Sequence, residues 1–174
     1  MRLSRDNRGV TLIELLIAMM IAAIVLSMIL LFIKGVSKSF QKTSDEVNLQ
    51  MEAQTTMNLI SNILMEAQDI EVSPVSAVPD PVTGEVRYTL SCGSNEYYTI
   101  IFNTTEGKLY LIKTSSPEEG RTATYSLQDH FLADHIENLL ITRNANKTAT
   151  IELYLALGRD KYNVKKTILM RNAE

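Results

Sequence analysis

Few residues in this sequence have the types and spacing that chemistry needs. His130 and His135, its two histidines, sit in LQDHFLADHIEN, where an Asp-His pair repeats after five residues. Asp129, His130, Asp134 and His135 can be imagined as metal ligands. Ligands five apart do not share a helix face, and no further histidine exists to complete a set. They read instead as part of a solvated loop or helix end. Two histidines also give no Ser-His-acid arrangement with supporting spacing. The lone Cys92 excludes an internal disulfide and a cysteine-based zinc site; in LSCGS it reads as a small half-buried apolar residue. No Gly-rich phosphate loop occurs. Asn103-Thr104-Thr105 and Asn146-Lys147-Thr148 match the glycosylation pattern but carry no functional weight. The sequence therefore offers no catalytic residue, no metal site and no cofactor site, and it is not read as an enzyme. One residue still demands explanation. Glu14 is the only charge in an apolar run over residues 10–33, where an acid costs about 2–3 kcal/mol.

The elements that hold Glu14 follow from composition. The chain has 174 residues, 17 Lys+Arg against 20 Asp+Glu, and is 45% hydrophobic. That suits one ordinary domain, or a small domain with an appendage. A net charge of −3 gives no electrostatic reason to expect nucleic acid as the partner. The apolar residues are concentrated at one end. Residues 1–9 carry Arg2, Arg5 and Arg8 against Asp6, a local charge of +2, so the remainder carries −3 − 2 = −5. The 24 residues from position 10 to 33 make a helix about 36 Å long at about 1.5 Å per residue, enough to cross a bilayer. Positive charge before the span and a long polar remainder after it place the N-terminus in the cytoplasm and the body outside. A cleaved secretory signal has a shorter apolar core and a small-x-small site; neither fits.

Arg8-Gly9 is followed by Val10-Thr11-Leu12-Ile13-Glu14-Leu15 and then by the apolar helix. This resembles the class III signal of type IV prepilins and pseudopilins, a short basic leader ending in Gly before FTLIEL-like residues. The resemblance implies cleavage between Gly9 and Val10 by a membrane prepilin peptidase, which also N-methylates Val10, where Phe is commoner in the family. It implies as partners other pilin or pseudopilin subunits and an inner-membrane assembly platform. Cleavage creates an α-amine on Val10, one turn from Glu14 in a continuous helix. Among staggered helices the carboxylate of one subunit meets the amine of a neighbour, offsetting the desolvation of both. Glu14 is on this reading an assembly residue; the alternative is an acid paired within its own chain.

Beyond residue 33 the pattern turns amphipathic. Leu49, Ala53, Met57, Ile60, Leu64 and Ala67 recur at steps of three or four and draw one apolar stripe. Val36, Phe40, Val47 and Met51 make a second, rotated series. The spacing predicts one helix from Val10 to Asp69, membrane-spanning over residues 10–33 and amphipathic over 34–69, with Met51, Met57 and Met65 filling core. No Pro precedes Pro74 and Gly35 is the one soft point; many major pilins, in the family this chain resembles, carry a Pro where Leu31 stands, so the resemblance implies a minor pilin or pseudopilin rather than a major pilin. Residues 70–84 hold three of the four prolines and read as a loop. Residues 85–174 read as an antiparallel sheet body, with strands at 97–102, 108–112, 137–142, 148–157 and 162–170. In the fourth, Ile151, Leu153, Leu155 and Leu157 alternate with Thr150, Glu152, Tyr154 and Ala156, giving one face for a core. The fold expected is α+β and pilin-like: a long N-terminal helix packed on a C-terminal antiparallel sheet.

The tail ILMRN looks like the last strand of PilW-like minor pilins and J-type pseudopilins. The expected function is a structural subunit of a type IV pilus, a type II secretion pseudopilus or a DNA-uptake filament. The loops at 70–84 and 114–135, including the charged and exposed PEEGR at 117–121, are where neighbours or ligands would be met. The rival reading is a signal-anchored extracytoplasmic binding module that stays monomeric. It expects the leader to remain attached.

Overall fold

A computed structural model describes residues 11–73, 79–93, 95–126, 128–158 and 160–173. By internal contacts the chain divides into two units, residues 1–44 and 45–174. One helix, α1, Leu12–Glu66, contributes to both. In the first unit every described residue is exposed. Its stretch of α1 is long and apolar enough to cross a membrane, and it runs through Gly35 as helix.

In the second unit α1 is amphipathic, and its stripe is the predicted one. Leu49, Ala53, Met57, Ile60, Leu64 and Ala67 are all buried, each large member contributing about 2 kcal/mol by burial. The second series behaves differently: Val36, Phe40, Val47 and Met51 are exposed, Met51 at 64%. Met51 therefore does not fill core; Met57 does, and Met65 packs at its edge.

The helix ends at Glu66, three residues short of expectation, because Asp69 already belongs to a strand. Segment 70–84 is thus not wholly loop. Strand β1, Asp69–Ser73, pairs antiparallel with β2, Glu85–Ser91. Five residues of modest β-propensity become a strand because a neighbouring ladder accepts them, which local sequence does not reveal. The chain then continues through β3, Tyr97–Asn103, and β4, Lys108–Thr114, joined by the predicted NTTEG hairpin. Asn103 Oδ1 accepts from the N–H groups of Thr105 and Glu106, and Gly107 takes φ +68° to close that turn.

Next come a short helix α2, Pro117–Thr122, and β5, Phe131–Ala133, which pairs with β4. The PEEGR segment is therefore helical. Ser116 caps it, its hydroxyl accepting from the Glu119 N–H at 3.2 Å, and Pro117 opens the first turn. The last three strands, β6 Ile136–Arg143, β7 Thr148–Leu157 and β8 Asp160–Leu169, form a separate sheet. The body thus holds a five-stranded sheet, β1 to β5 in order, and a three-stranded one. In β7, Ile151, Leu153 and Leu155 are fully buried as the alternation requires, and Leu157 is half-buried.

Both sheets turn their apolar faces to the same core as the helix stripe. Tyr88, Leu90, Ile100 and Leu109 come from the first, Leu139, Ile141, Ile151 and Leu153 from the second. The Tyr88 hydroxyl donates to the Leu139 carbonyl at 2.8 Å and ties the sheets together. Burial pushes that phenol up to about 12. The tail does not extend the last strand to Met170 as expected. Arg171 N–H donates to the Met65 carbonyl and the Asn172 amide to the Glu66 carbonyl, satisfying acceptors at the end of α1.

The outer face of the five-stranded sheet has a smaller core of Ile101, Tyr110 and Ile112 beneath Ala123 and Tyr125. Here α2 lies against β2 and β3 through Gly120. A Cβ at that position would come within 2.2 Å of Thr99 Oγ1 and 3.2 Å of Thr89 Oγ1, two hydroxyls that bond each other. Replacing Gly120 by Ala should destabilise the body by about 1–3 kcal/mol through this crowding. Adding Thr99→Ala should recover part of the loss, as read from urea unfolding of the detergent-solubilised chain; simple additivity of the two would contradict the contact.

Candidate functional site: the start of the long helix

The sequence singled out Gly9, Val10 and Glu14. Gly9 and Val10 lie outside the described residues, while Glu14 is in the first turn of α1. Thr11 is not helical and Leu12 is the first helical residue, which makes Thr11 the N-cap and Glu14 the third residue of the helix. The Glu14 N–H donates to Thr11 Oγ1 at 3.3 Å, and the Thr11 N–H donates to Glu14 Oε2 at 3.4 Å. The Thr11 hydroxyl also donates to Glu14 Oε2, at 3.3 Å. This reciprocal arrangement is a capping box.

It answers two local needs at once. Four N–H groups at a helix start have no partner within the helix, and water is scarce to satisfy them if the start is embedded. Glu14 meanwhile brings a carboxylate that an apolar run cannot solvate. Placing one against the other satisfies donors and acceptor together and sets negative charge at the positive end of the helix. The helix-long expectation from Val10 changes accordingly, since helical geometry begins after Thr11. Thr11 is the capping partner of Glu14 that types and spacing alone did not single out. Its signal was present as Thr11-Leu12-Ile13-Glu14, a T-x-x-E spacing ahead of an apolar run.

The other residues of chemical interest do not converge. His130 Nδ1 accepts from the Ser126 N–H at 3.2 Å, closing a turn. His135 has left-handed backbone, φ 59°, and its Nδ1 lies 3.6 Å from Glu52 Oε2 on α1. Glu52 Oε1 also accepts from the Asp134 N–H at 2.6 Å, so it fastens the β5–β6 corner to the helix. Among the described residues no group of three or more His, Cys, Asp or Glu is placed to hold a metal ion. Cys92 is half-buried, its Sγ 3.6 Å from the Ile63 carbonyl. Burial, with Glu66 and Glu96 nearby, pushes the thiol up to about 11.

Two measurements check these assignments. Thr11→Ala should remove about 1 kcal/mol of capping and speed amide exchange over Leu12 to Glu14 in micelles, whereas Thr11→Ser should leave exchange near the parent rate. Cys92 should hold about a hundredfold fewer thiolates at pH 8 than an ordinary thiol, so alkylation should be slow until unfolding. Because the folded state keeps the proton longer, Cys92 should make the body less stable as pH rises from 9 toward 11, as read from alkaline unfolding.

No curated protein and no solved structure matches the chain at a significant level. Residues 4–30 do match a family model, that of the prokaryotic N-terminal methylation motif. The match spans residues 4–9 of the basic leader, with Arg5 and Arg8, the Gly9–Val10 junction, Thr11, Glu14 and most of the apolar run. The chain thus carries a class III signal of the type IV prepilin kind at the head of a pilin-like α+β fold.

Proposed function

We propose that this type IV pilin-like chain is a minor pilin or pseudopilin, a structural subunit of a type IV pilus, a type II secretion pseudopilus or a DNA-uptake filament. The observation that carries the reading is the methylation motif at residues 4–30 running directly into an apolar helix that is exposed along its whole first unit. A surface so apolar needs either lipid or other helices. On this proposal it has both in turn. The precursor is held in the membrane with its N-terminus in the cytoplasm and its body outside. A prepilin peptidase cuts after Gly9 and methylates Val10; an inner-membrane platform then passes the subunit from lipid into a bundle of similar helices.

Glu14 changes partner in that transfer. In the isolated chain its carboxylate serves the Thr11 N–H and hydroxyl. In the filament it takes the α-amine of a neighbour's first residue, fixing the axial register by charge pairing away from water. The exposed Val36 and Phe40, and farther along Val47 and Met51, supply further apolar surface for helix packing. The role is structural rather than catalytic.

The intact mass of the membrane-extracted chain, coexpressed with and without a prepilin peptidase, tests the first step. Loss of residues 1–9 with gain of one methyl group, only when the peptidase is present, is the expected result. An unchanged mass under both conditions would favour the monomeric anchored module. Glu14→Ala should still be cut but should no longer crosslink to other pilin subunits.

A further inference from the structure

The outer face of the five-stranded sheet, opposite the side that buries the helix stripe, holds a cleft of about 240 Å³ beside α2. It is lined by Asp69, Glu71, Thr89, Ser91, Tyr97 and Pro117. The register explains the grouping. Asp69, Ser91 and Tyr97 form one cross-strand row over β1, β2 and β3, and Glu71 and Thr89 belong to the next. Residues directly opposite across an antiparallel ladder share a face. Pro117 closes the side where α2 begins.

The charge of this cleft is balanced. Glu71 is paired with Arg121 and Asp69 with Arg143, so each carboxylate that lines the cleft has a guanidinium partner. It therefore attracts neither a cation nor an anion by net charge. Its floor and walls are hydroxyls: Thr89, which bonds Thr99, and Ser91 and Tyr97, whose hydroxyls have no hydrogen-bond partner among the described residues. The Tyr97 ring and the Pro117 ring add apolar surface beside these polar groups. Hydroxyls that both donate and accept, carboxylate acceptors and an aromatic face match a neutral polyol with one apolar side.

We infer that this cleft binds a neutral sugar residue of a glycan. Hydroxyls of the sugar bond Ser91, Tyr97 and the carboxylates of Asp69 and Glu71, and its C–H face lies on the Tyr97 and Pro117 rings. Because the site is built wholly within the C-terminal body, it stands or falls apart from the filament proposal.

The test uses the full chain, isotope-labelled in detergent micelles, titrated with methyl glycosides of galactose, mannose and N-acetylglucosamine. Glucosamine and N-acetylneuraminic acid serve as cationic and anionic comparators. At least one neutral glycoside should give saturable amide shifts centred on Thr89, Ser91 and Tyr97. Tyr97→Ala should weaken that binding by about tenfold or more. Ser91→Ala, a smaller change less able to disturb folding, should weaken it measurably, while Thr167→Ala on the other sheet should leave it unchanged. The inference is overturned if no neutral glycoside gives saturable shifts at these residues. It is equally overturned if a charged comparator binds better than all of them, or if binding survives both cleft substitutions.

Discussion

The C-terminal body depends on a single stripe of the helix, Leu49 to Ala67, being buried by two sheets at once. A lone sheet covers one side of a helix; here the inner residues of both sheets reach the same stripe, and the Tyr88 hydroxyl joins the sheets through the Leu139 carbonyl. The stripe also fixes where the helix must stop. Past Ala67 the backbone turns into β1, and the carbonyls left over at Met65 and Glu66 are taken by the tail at Arg171 and Asn172. First strand and last residues are therefore both tied to the helix end. The ends of the body are clamped at the point where the helix leaves its core.

Two different solvents are written into one helix. Over the body its hydrophobic residues keep to one side, so the core satisfies them and water meets the rest. Over the first unit they occupy every side, and no burial inside the chain satisfies any of them. A helix apolar all round is stable only among lipids or other helices. Glu14 and Thr11 stand at the far end of that stretch, where the capping box keeps an acid and an unbonded helix start from needing water.

The legible parts of this architecture were those with a strong period. The stripe obeyed a helical spacing and β7 an alternation of two, and all of their apolar members but Leu157 were buried as the pattern required. The charged acid in an apolar run was legible as well, because its cost is large. What stayed hidden was set by distant pairing. DIEVS becomes β1 only because EVRYTLS lies beside it, and β5 is a three-residue strand made by the free edge of β4. The split into two sheets depends on where the chain turns after β5, which no local residue states. Both helix starts, by contrast, carried a readable sign that propensity alone overlooks: Thr11 with Glu14, and Ser116 with Glu119, each a hydroxyl three residues before an acid.

The two faces of the five-stranded sheet show how one layer can serve separate ends. Its inner side is apolar because the helix stripe must be covered. Its outer side has no such duty, and it is divided between a strap and a cleft. The strap, α2 and the residues after it, is held by polar contacts: Arg87 donates to the carbonyls of Gly120 and Ala123, and Tyr125 donates to Glu85. Arg87 is itself paired with Glu85 at 2.8 Å, so a single charge pair orients the donors that fix the strap. A strap fixed in this way leaves Pro117 as a rigid wall, and the cleft beside it inherits a shape that does not depend on a ligand to form. A polar cleft built in this way, on the sheet face opposite the one that buries the helix stripe, has its groups placed before any ligand arrives.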